Sequence, residues 1–207
     1  MHCRLGVAVL TAVSILASNA ALAKRPSLLG EIESGVATAL QPSSVQVPAT
    51  GTVEVAFSPN EGAEALVVKV IDSARSEIRM LTYSFTSAPV TAALLRAKKR
   101  GVNVAMVVDY KNNLSDDRSG KARAALDAVA TAGISVRTIS VYPIHHDKTL
   151  VVDSTTVETG SFNYSAGAAS KNSENVLVMW GNQKLAAVYL KHWERNWNQG
   201  SPYQPAY

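Results

Sequence analysis

Two pairs of polar side chains between residues 145 and 175 have types and spacing that could act on a charged substrate. His146 and Lys148 are two residues apart in a strand-like run, and Ser161 and Asn163 have the same spacing after the next run. In an extended strand, such residues point to the same face and lie about 7 Å apart. An imidazole can attack an electrophile or transfer a proton, while ammonium, hydroxyl and carboxamide groups can hold anionic oxygens. Phosphate is the electrophile that best matches this set.

A metal site is the less favoured interpretation of the same residues. Only one histidine lies on the predicted face, no close pair of carboxylates accompanies it, and lysine is not a usual ligand. We therefore expect a site that uses neither a metal ion nor a cofactor.

The two carboxylates of this region are expected to differ in role. Asp153 lies five residues after Lys148, about 16 Å along a regular strand and on the opposite face. We expect Asp153 to be structural and to brace the turn near residues 154–156. Glu174 begins a later strand, which could return beside the first and bring its carboxylate to a ring nitrogen of a histidine. A carboxylate in that place fixes the tautomer of the ring and makes it a better nucleophile.

Each of these features, taken alone, has an ordinary structural explanation. A single histidine in a strand is more often a satisfied core or surface residue than a catalyst, and Gly-Ser-x-Asn alone is a common turn. His145 faces away from Lys148 and is expected to be a bystander. The joint spacing of the residues is what favours a catalytic site.

That spacing is His146-x-Lys148-x4-Asp153-x6-Gly160-Ser161-x-Asn163. It resembles the HKD signature of the phospholipase D superfamily at every position, with Asp153 and Gly160 as structural members. The resemblance covers residues 52–203 and includes "TVETGSFNYS", "KNSENVLVMW" and "HWERNWNQG". Together with its small size, this makes the chain similar to the small exported bacterial endonucleases of that superfamily.

The resemblance implies a role for each matching residue. His146 would be the nucleophile and form a phosphohistidine intermediate. Lys148 and Asn163 would bind the non-bridging phosphate oxygens, Ser161 would support that pocket, and Glu174 would orient a histidine. The family that the chain resembles works without a divalent metal.

The His-x-Lys motif occurs once, since the other histidines, His2, His145 and His192, lack a lysine two residues later. Displacement through a covalent intermediate needs a nucleophile on one side of phosphorus and an acid on the other. One imidazole cannot occupy both places. We therefore predict an isologous homodimer that brings His146 of each subunit to the same phosphate. A monomer that uses Glu158 or Tyr164 as the acid is the alternative.

Three functions compete. The leading one is a metal-independent, largely sequence-nonspecific endonuclease of DNA, with RNA as a further candidate substrate, because nothing in the sequence resembles a base-reading module. The same chemistry on a phospholipid is the alternative. The sequence has no evident amphipathic membrane helix, so we expect no stable membrane association. A module that binds nucleic acid without cleaving it is least favoured, because the polar set is intact.

Strands and helices that alternate in the first half of the chain would position these residues. Their short connections predict an α/β fold, with a mixed, largely parallel β-sheet sandwiched between helices in one domain over residues 52–207. In the first strand, Val53, Val55 and Phe57 alternate as in a half-buried strand. The second half is strand-rich and ends in a helix with one apolar face, formed by Ala186, Leu190, Trp193 and Trp197.

The first 51 residues are expected to lie outside this domain. Residues 1–23 combine one Arg, a short apolar run and an Ala-Leu-Ala ending, which is typical of a cleaved signal peptide. An uncleaved anchor is the alternative. Residues 24–51 read as an extended or weakly structured arm, with a short helix over residues 28–39 as one option. The predicted signal peptide indicates export to a bacterial periplasm or the extracellular space. The single cysteine, Cys3, would leave with the leader.

The chain has 207 residues and a net charge of +4, which suits an anionic partner without requiring one. The basic cluster at residues 98–100 falls in the last turn of a predicted helix, where cations offset the helix dipole. The stretch "RSGKAR", residues 118–123, follows an Asn- and Asp-rich loop and is the better candidate for contact with phosphate.

Overall fold

The protein is described here by a computed structural model that covers residues 44–206. The predicted signal peptide, the possible helix over residues 28–39 and most of the predicted arm lie outside the described residues. Residues 45–206 form one compact unit.

The described residues form eight strands, five α-helices and one short π-helix over residues 111–115. The strands are β1 Thr52–Ser58, β2 Glu77–Thr82, β3 Asn103–Asp109, β4 Ser135–Ile139, β5 Lys148–Val152, β6 Thr156–Gly160, β7 Glu174–Trp180 and β8 Ser201–Pro202. The helices are α1 Ala63–Ser73, α2 Ala88–Lys99, α3 Lys121–Thr131, α4 Ala166–Ser170 and α5 Gln183–Gln199.

One mixed sheet joins all eight strands in the order β1-β7-β6-β5-β2-β3-β4-β8. The predicted mixed α/β sheet is confirmed, but its description as largely parallel is wrong. Only β2 with β3 and β3 with β4 are parallel, and the other five pairs are antiparallel. The reason is that parallel neighbours need long crossover connections. Helices α2 and α3 provide them between β2, β3 and β4, whereas a three-residue turn joins β5 to β6.

Helices cover both faces of the sheet. Residues of α1, α2, α3 and α4 share the large apolar core with strand residues such as Met80, Met106 and Val178. Leu81 and Val107, which point to the other face, pack against Trp193 of α5. The predicted sandwich is thus formed by four helices on one side and the C-terminal helix on the other.

Strand β1 differs from its sequence-based expectation. Val53, Val55 and Phe57 are 64%, 49% and 50% exposed. The face of β1 that was predicted to be buried is therefore exposed to solvent in the single chain. Strand β1 lies at the edge of the sheet, and α5 packs against β2 to β6 rather than against β1. The other face of β1 packs on the main core through Ala56.

The polar residues singled out in the sequence converge on one end of the sheet, here called the site end. Lys148 pairs with Thr82 at the carboxyl end of β2, Gly160 ends β6, and Glu174 begins β7 opposite Ser58. The basic cluster at residues 98–100 lies at the opposite end, where α2 finishes. There the Arg100 guanidinium donates to two carbonyl oxygens at the end of α1.

Candidate active site

The His146 ring is exposed in the loop before β5, and Lys148 is the first residue of that strand. Lys148 is only 5% exposed, and its ammonium donates to the His146 carbonyl oxygen at 2.8 Å. Burial lowers the pKa of Lys148, against the opposing effect of Asp147 and Glu174. No ion pair joins Lys148 to a carboxylate among the described residues. The ammonium therefore has donor capacity left for an anionic ligand.

Ser161 and Glu174 are joined directly. The Ser161 hydroxyl donates to Glu174 Oε2 at 2.6 Å, and the Asn172 amide donates to Glu174 Oε1 at 3.0 Å. The Asn175 backbone N–H donates to the Ser161 hydroxyl oxygen at 3.1 Å. Glu174 therefore holds the serine within this chain, and its role in orienting a histidine stays a prediction.

Asn163 lies two residues beyond Ser161, with the fully buried Phe162 between them. Its amide oxygen is buried and has no hydrogen-bond partner within the part of the chain that the structure describes. The loop after Asn163 is fixed, because Thr86 and Ser87 donate their backbone N–H groups to the Tyr164 carbonyl at 2.9 and 2.8 Å. The amide oxygen can only accept, so the NH2 group of Asn163 is the part of the side chain that could donate to a phosphate oxygen.

Gly160 is required by a close approach of two backbones. A Cβ atom at this position would lie 2.1 Å from the Asn175 carbonyl oxygen. The absence of a side chain lets Ser161 N–H donate to that oxygen at 3.1 Å. Any larger residue would push β6 from β7 and displace Ser161 from Glu174.

The sequence analysis missed Tyr83, the residue that follows β2. Its ring lies 4.7 Å from the His146 ring, centroid to centroid, and 5.2 Å from the Lys148 ammonium. Tyr83 N–H also donates to the Asp147 carbonyl at 2.9 Å. Its position at the carboxyl end of a buried strand beside a second parallel strand was the available signal.

Asp109 and Asn113 were missed as well. Asp109, the last residue of β3, accepts a hydrogen bond from His145 N–H at 2.8 Å. The fully buried Asn113 of the π-helix donates to the Tyr83 and Asp109 carbonyls at 2.6 and 2.8 Å. It also accepts from Phe85 N–H at 2.9 Å. These contacts tie the ends of β2 and β3 to the segment that carries His146.

A second polar cluster flanks His146 on the α5 side. Asp147 lies 3.3 Å from His145 Nε2 and 3.1 Å from His192 Nε2. Arg195 donates to His192 Nδ1 at 2.8 Å. Because a guanidinium can only donate, this contact assigns the His192 proton to Nε2 and a hydrogen bond to Asp147. His145 is buried, and burial lowers its pKa in spite of Asp147 and Asp109.

Asp153 lies away from this site, in the turn after β5. Its carboxylate accepts from the backbone N–H groups of Arg75, Ser76 and Glu77 and from the Ser76 hydroxyl. Asp153 and Ser154 both have positive φ, 50° and 54°, as a type I′ hairpin turn requires. The structure thus places Asp153 at the far end of the sheet from His146.

The two residues considered as acids in a monomer are also unsuitably placed. Glu158 and Tyr164 are fully buried, and the Tyr164 hydroxyl is 2.7 Å from Glu158 Oε2. Tyr164 belongs to the main core. Neither side chain can protonate an oxygen of a substrate bound at the exposed His146 ring.

Two further properties bear on what the site can hold. No group of three or more His, Cys, Asp or Glu residues among residues 44–206 is arranged to bind a metal ion. No helix in the same range is both long and apolar enough to cross a membrane.

The chain matches known proteins over the region that contains this site. Residues 67–197 match the family model described as cardiolipin synthase, PLD-like domain. A phospholipase D of Rickettsia conorii is 36% identical over 141 residues, which are 68% of this chain and 67% of that protein. The chain belongs to the phospholipase D superfamily.

Other members of the superfamily agree with this assignment. The crystal structure of Nuc, a phospholipase D family member from Salmonella typhimurium, is similar with a TM-score of 0.70 and 47% identity. That match covers 74% of this chain and 98% of Nuc. A mitochondrial cardiolipin hydrolase of Xenopus laevis is 29% identical over 66% of this chain and 61% of its own length. The protein is therefore an enzyme, a phosphodiesterase of the phospholipase D superfamily.

Proposed function

We propose that this phosphodiesterase is a metal-independent endonuclease that cleaves DNA, and RNA as a further candidate, with little sequence preference. The observation that carries the proposal is the open form of the site. His146 and Ser161 are exposed at the site end, so a phosphodiester within a long polymer can reach both residues.

The proposed reaction uses the residues around His146 in two steps. A ring nitrogen of His146 attacks phosphorus, and a P–N bond forms as the P–O bond to one nucleotide breaks. Lys148 and Asn163 hold the non-bridging oxygens, whose charge the ammonium offsets. The departing oxygen takes a proton from the partner subunit's His146. That histidine then removes a proton from water, the water oxygen attacks phosphorus, and the P–N bond breaks to restore His146.

A homodimer is part of the proposal, because one described chain supplies half of this arrangement. Glu158 and Tyr164 are buried against each other, and His145 is 2% exposed, so none can reach the leaving oxygen. The exposed Val53, Val55 and Phe57 form an apolar row that ends near Glu174 at the site end. Such a row supports burial against a second copy.

Digestion of plasmid DNA by the purified protein in excess EDTA tests this function. We expect nicking and linearisation that EDTA leaves unchanged. The His146→Asn variant should lose cleavage while it retains binding of a labelled DNA fragment. Failure to cut DNA, or cleavage that appears only with added Mg²⁺, would contradict the proposal.

A phospholipid substrate is the second candidate, because the relatives from Rickettsia conorii and Xenopus laevis are called phospholipase D and cardiolipin hydrolase. Vesicles of phosphatidylcholine or cardiolipin test it under the same EDTA conditions. Release of choline or phosphatidic acid faster than cleavage of DNA would favour this candidate over the nuclease.

A further inference from the structure

A cluster of exposed side chains follows the carboxyl end of β3, and it is here called the cationic strip. It consists of Tyr110, Lys111, Arg118, Lys121 and Arg123. We propose that the cationic strip binds backbone phosphates of a nucleic-acid strand to one side of the phosphodiester that is cleaved. This inference rests on the nuclease function proposed above and adds the surface that would hold the polymer.

The cationic strip is attached to the segment that carries His146. Asp109 precedes Tyr110 directly, and one of its carboxylate oxygens accepts from His145 N–H at 2.8 Å. The other accepts from Asn112 N–H at 2.7 Å. One buried carboxylate therefore joins the start of the strip to the residue next to His146.

The spacing of the strands gives the distance from Lys148 to the strip. Thr82 of β2 pairs with Lys148 on one side and with Val108 of β3 on the other. Neighbouring strands lie about 4.8 Å apart, so β3 lies about 10 Å from β5. Successive phosphates along one strand of a duplex rise about 3.4 Å along the helix axis. The strip would thus begin within a few nucleotides of the phosphate at His146.

The four cations of the strip have free side chains. None forms a side-chain hydrogen bond or an ion pair with another described residue. Two acids share the segment, but the Asp117 carboxylate is turned to the start of α3. It accepts there from Ala122 N–H at 2.9 Å and from Arg123 N–H at 3.2 Å. Asp116 is left as the exposed acid beside four exposed cations.

An exposed basic segment is more often a solvated surface than a binding site. Two features distinguish this one from the basic residues at the opposite end of the described domain. It lies at the site end and includes Tyr110, a ring that is 45% exposed and on which a base could stack. At the opposite end, by contrast, Arg96 and Arg100 are paired with Asp72.

The test compares two variants that lose the same charge at opposite ends of the molecule. One is Arg118→Ala with Lys121→Ala in the strip, and the matched control is Lys98→Ala with Lys99→Ala. Steady-state kinetics are measured in EDTA on a DNA 30-mer and on bis(p-nitrophenyl) phosphate, which contains a single diester. Dependence on salt is measured for the 30-mer.

Near physiological salt, we expect kcat/KM of the strip variant on the 30-mer to fall about tenfold because KM rises. Its kcat/KM on the small diester should equal that of the wild type. The slope of its plot of log(kcat/KM) against log[salt] should be smaller in magnitude by about 1.8, because each of the two lost phosphate contacts contributes about 0.9 to the slope. The control should match the wild type on both substrates. Equal losses in the two variants, or none in either, would overturn the inference.

Two other outcomes separate this inference from the proposed function. If the wild type cleaves neither substrate, the nuclease function itself fails. If the strip variant cleaves the 30-mer normally but loses binding to vesicles of phosphatidylglycerol, the strip binds lipid, and its assignment to nucleic acid is wrong.

Discussion

At the residue scale, the electrostatic environment of Lys148 is the most informative feature of the site. Lys148 is almost fully buried, yet the hydrogen-bond partner of its ammonium is a carbonyl oxygen and not a carboxylate. Removing a cation from water without pairing it is unfavourable. A bound phosphate would supply the missing charge, so this arrangement favours an anionic substrate over a neutral one.

Asp153 provides a prediction about stability at this scale. We expect Asp153→Asn to lower the free energy of unfolding by about 2 kcal/mol, because hydrogen bonds to a charged acceptor are stronger than those to an amide. Asparagine also tolerates the positive φ at this position, so the change reports the carboxylate and not the turn. Urea unfolding at pH 7 measures the loss, and kcat of folded protein should remain close to that of the wild type.

The same variant should show a defined pH dependence. Burial raises the pKa of Asp153, but the donors from Glu77, Ser76 and Arg75 outweigh it and hold the pKa below its ordinary value. A lowered pKa stabilises the fold above the unfolded value of about 3.9, and this contribution is lost as the pH falls through the folded pKa. The difference in the free energy of unfolding between wild type and variant should therefore become smaller below about pH 4. Asp116→Ala, which removes an exposed carboxylate, serves as the control. A difference in the free energy of unfolding that stays constant down to pH 2 would contradict this explanation.

At the element scale, β6 carries a buried carboxyl that the proposed reaction does not use. Burial raises the pKa of Glu158 to about 8, while the hydrogen bond from Tyr164 lowers it. Glu158 is therefore largely protonated at neutral pH, and its Oε1 has no partner within the described residues. Tyr164 follows Asn163 directly, so the pair anchors the loop that carries Ser161 and Asn163 to the core.

The Glu158 pair predicts how stability changes with pH. A raised carboxyl pKa stabilises the fold fully below the unfolded value of about 4.3, and this contribution is lost as the pH rises towards 8. Relative to Glu158→Gln, which does not titrate, the wild type should lose up to about 1.4 kcal/mol for each pH unit in that window. Urea unfolding of both proteins from pH 5 to pH 9 measures the difference. Parallel curves would show that folding does not raise the pKa of Glu158.

At the scale of the whole molecule, the proposed dimer makes a prediction about mixtures. Wild-type protein is refolded with an equal amount of His146→Asn, so that subunits combine at random. If one site needs His146 from both subunits, only wild-type pairs are active, and about a quarter of the full activity remains. Independent monomers would retain about half.

The control for this mixture is the Lys98→Ala variant, which keeps His146 and lies away from the site end. Refolding the wild type with that variant should leave activity unchanged. Sedimentation velocity on the same samples gives the mass of the active species. A monomer that cleaves DNA at full rate would contradict the shared site.

The sequence determined the type of fold and the identity of the central polar residues, because both depend on local patterns. Apolar periodicity predicted the alternating strands and helices of the first half, the strands of the second half and the C-terminal helix, but not α4, the π-helix or β8. The spacing of His146, Lys148, Ser161 and Asn163 is a property of the chain itself. The offset of Asp153 from Lys148 likewise indicated that it would lie away from the site, since strand geometry fixes that distance.

Only the tertiary structure decided which distant segments meet. The contacts of Tyr83, Asp109 and Asn113 with the His146 segment depend on strand order, which periodicity does not encode. The exposure of Val53 and Phe57 likewise depends on the edge position of β1 and on how far α5 extends over the sheet. Residues 118–123 could be recognised as basic in the sequence, but their place at the site end follows from the parallel pairing of β2 with β3. Local patterns are set by neighbours along the chain, whereas these contacts are set by packing between segments that are far apart in sequence.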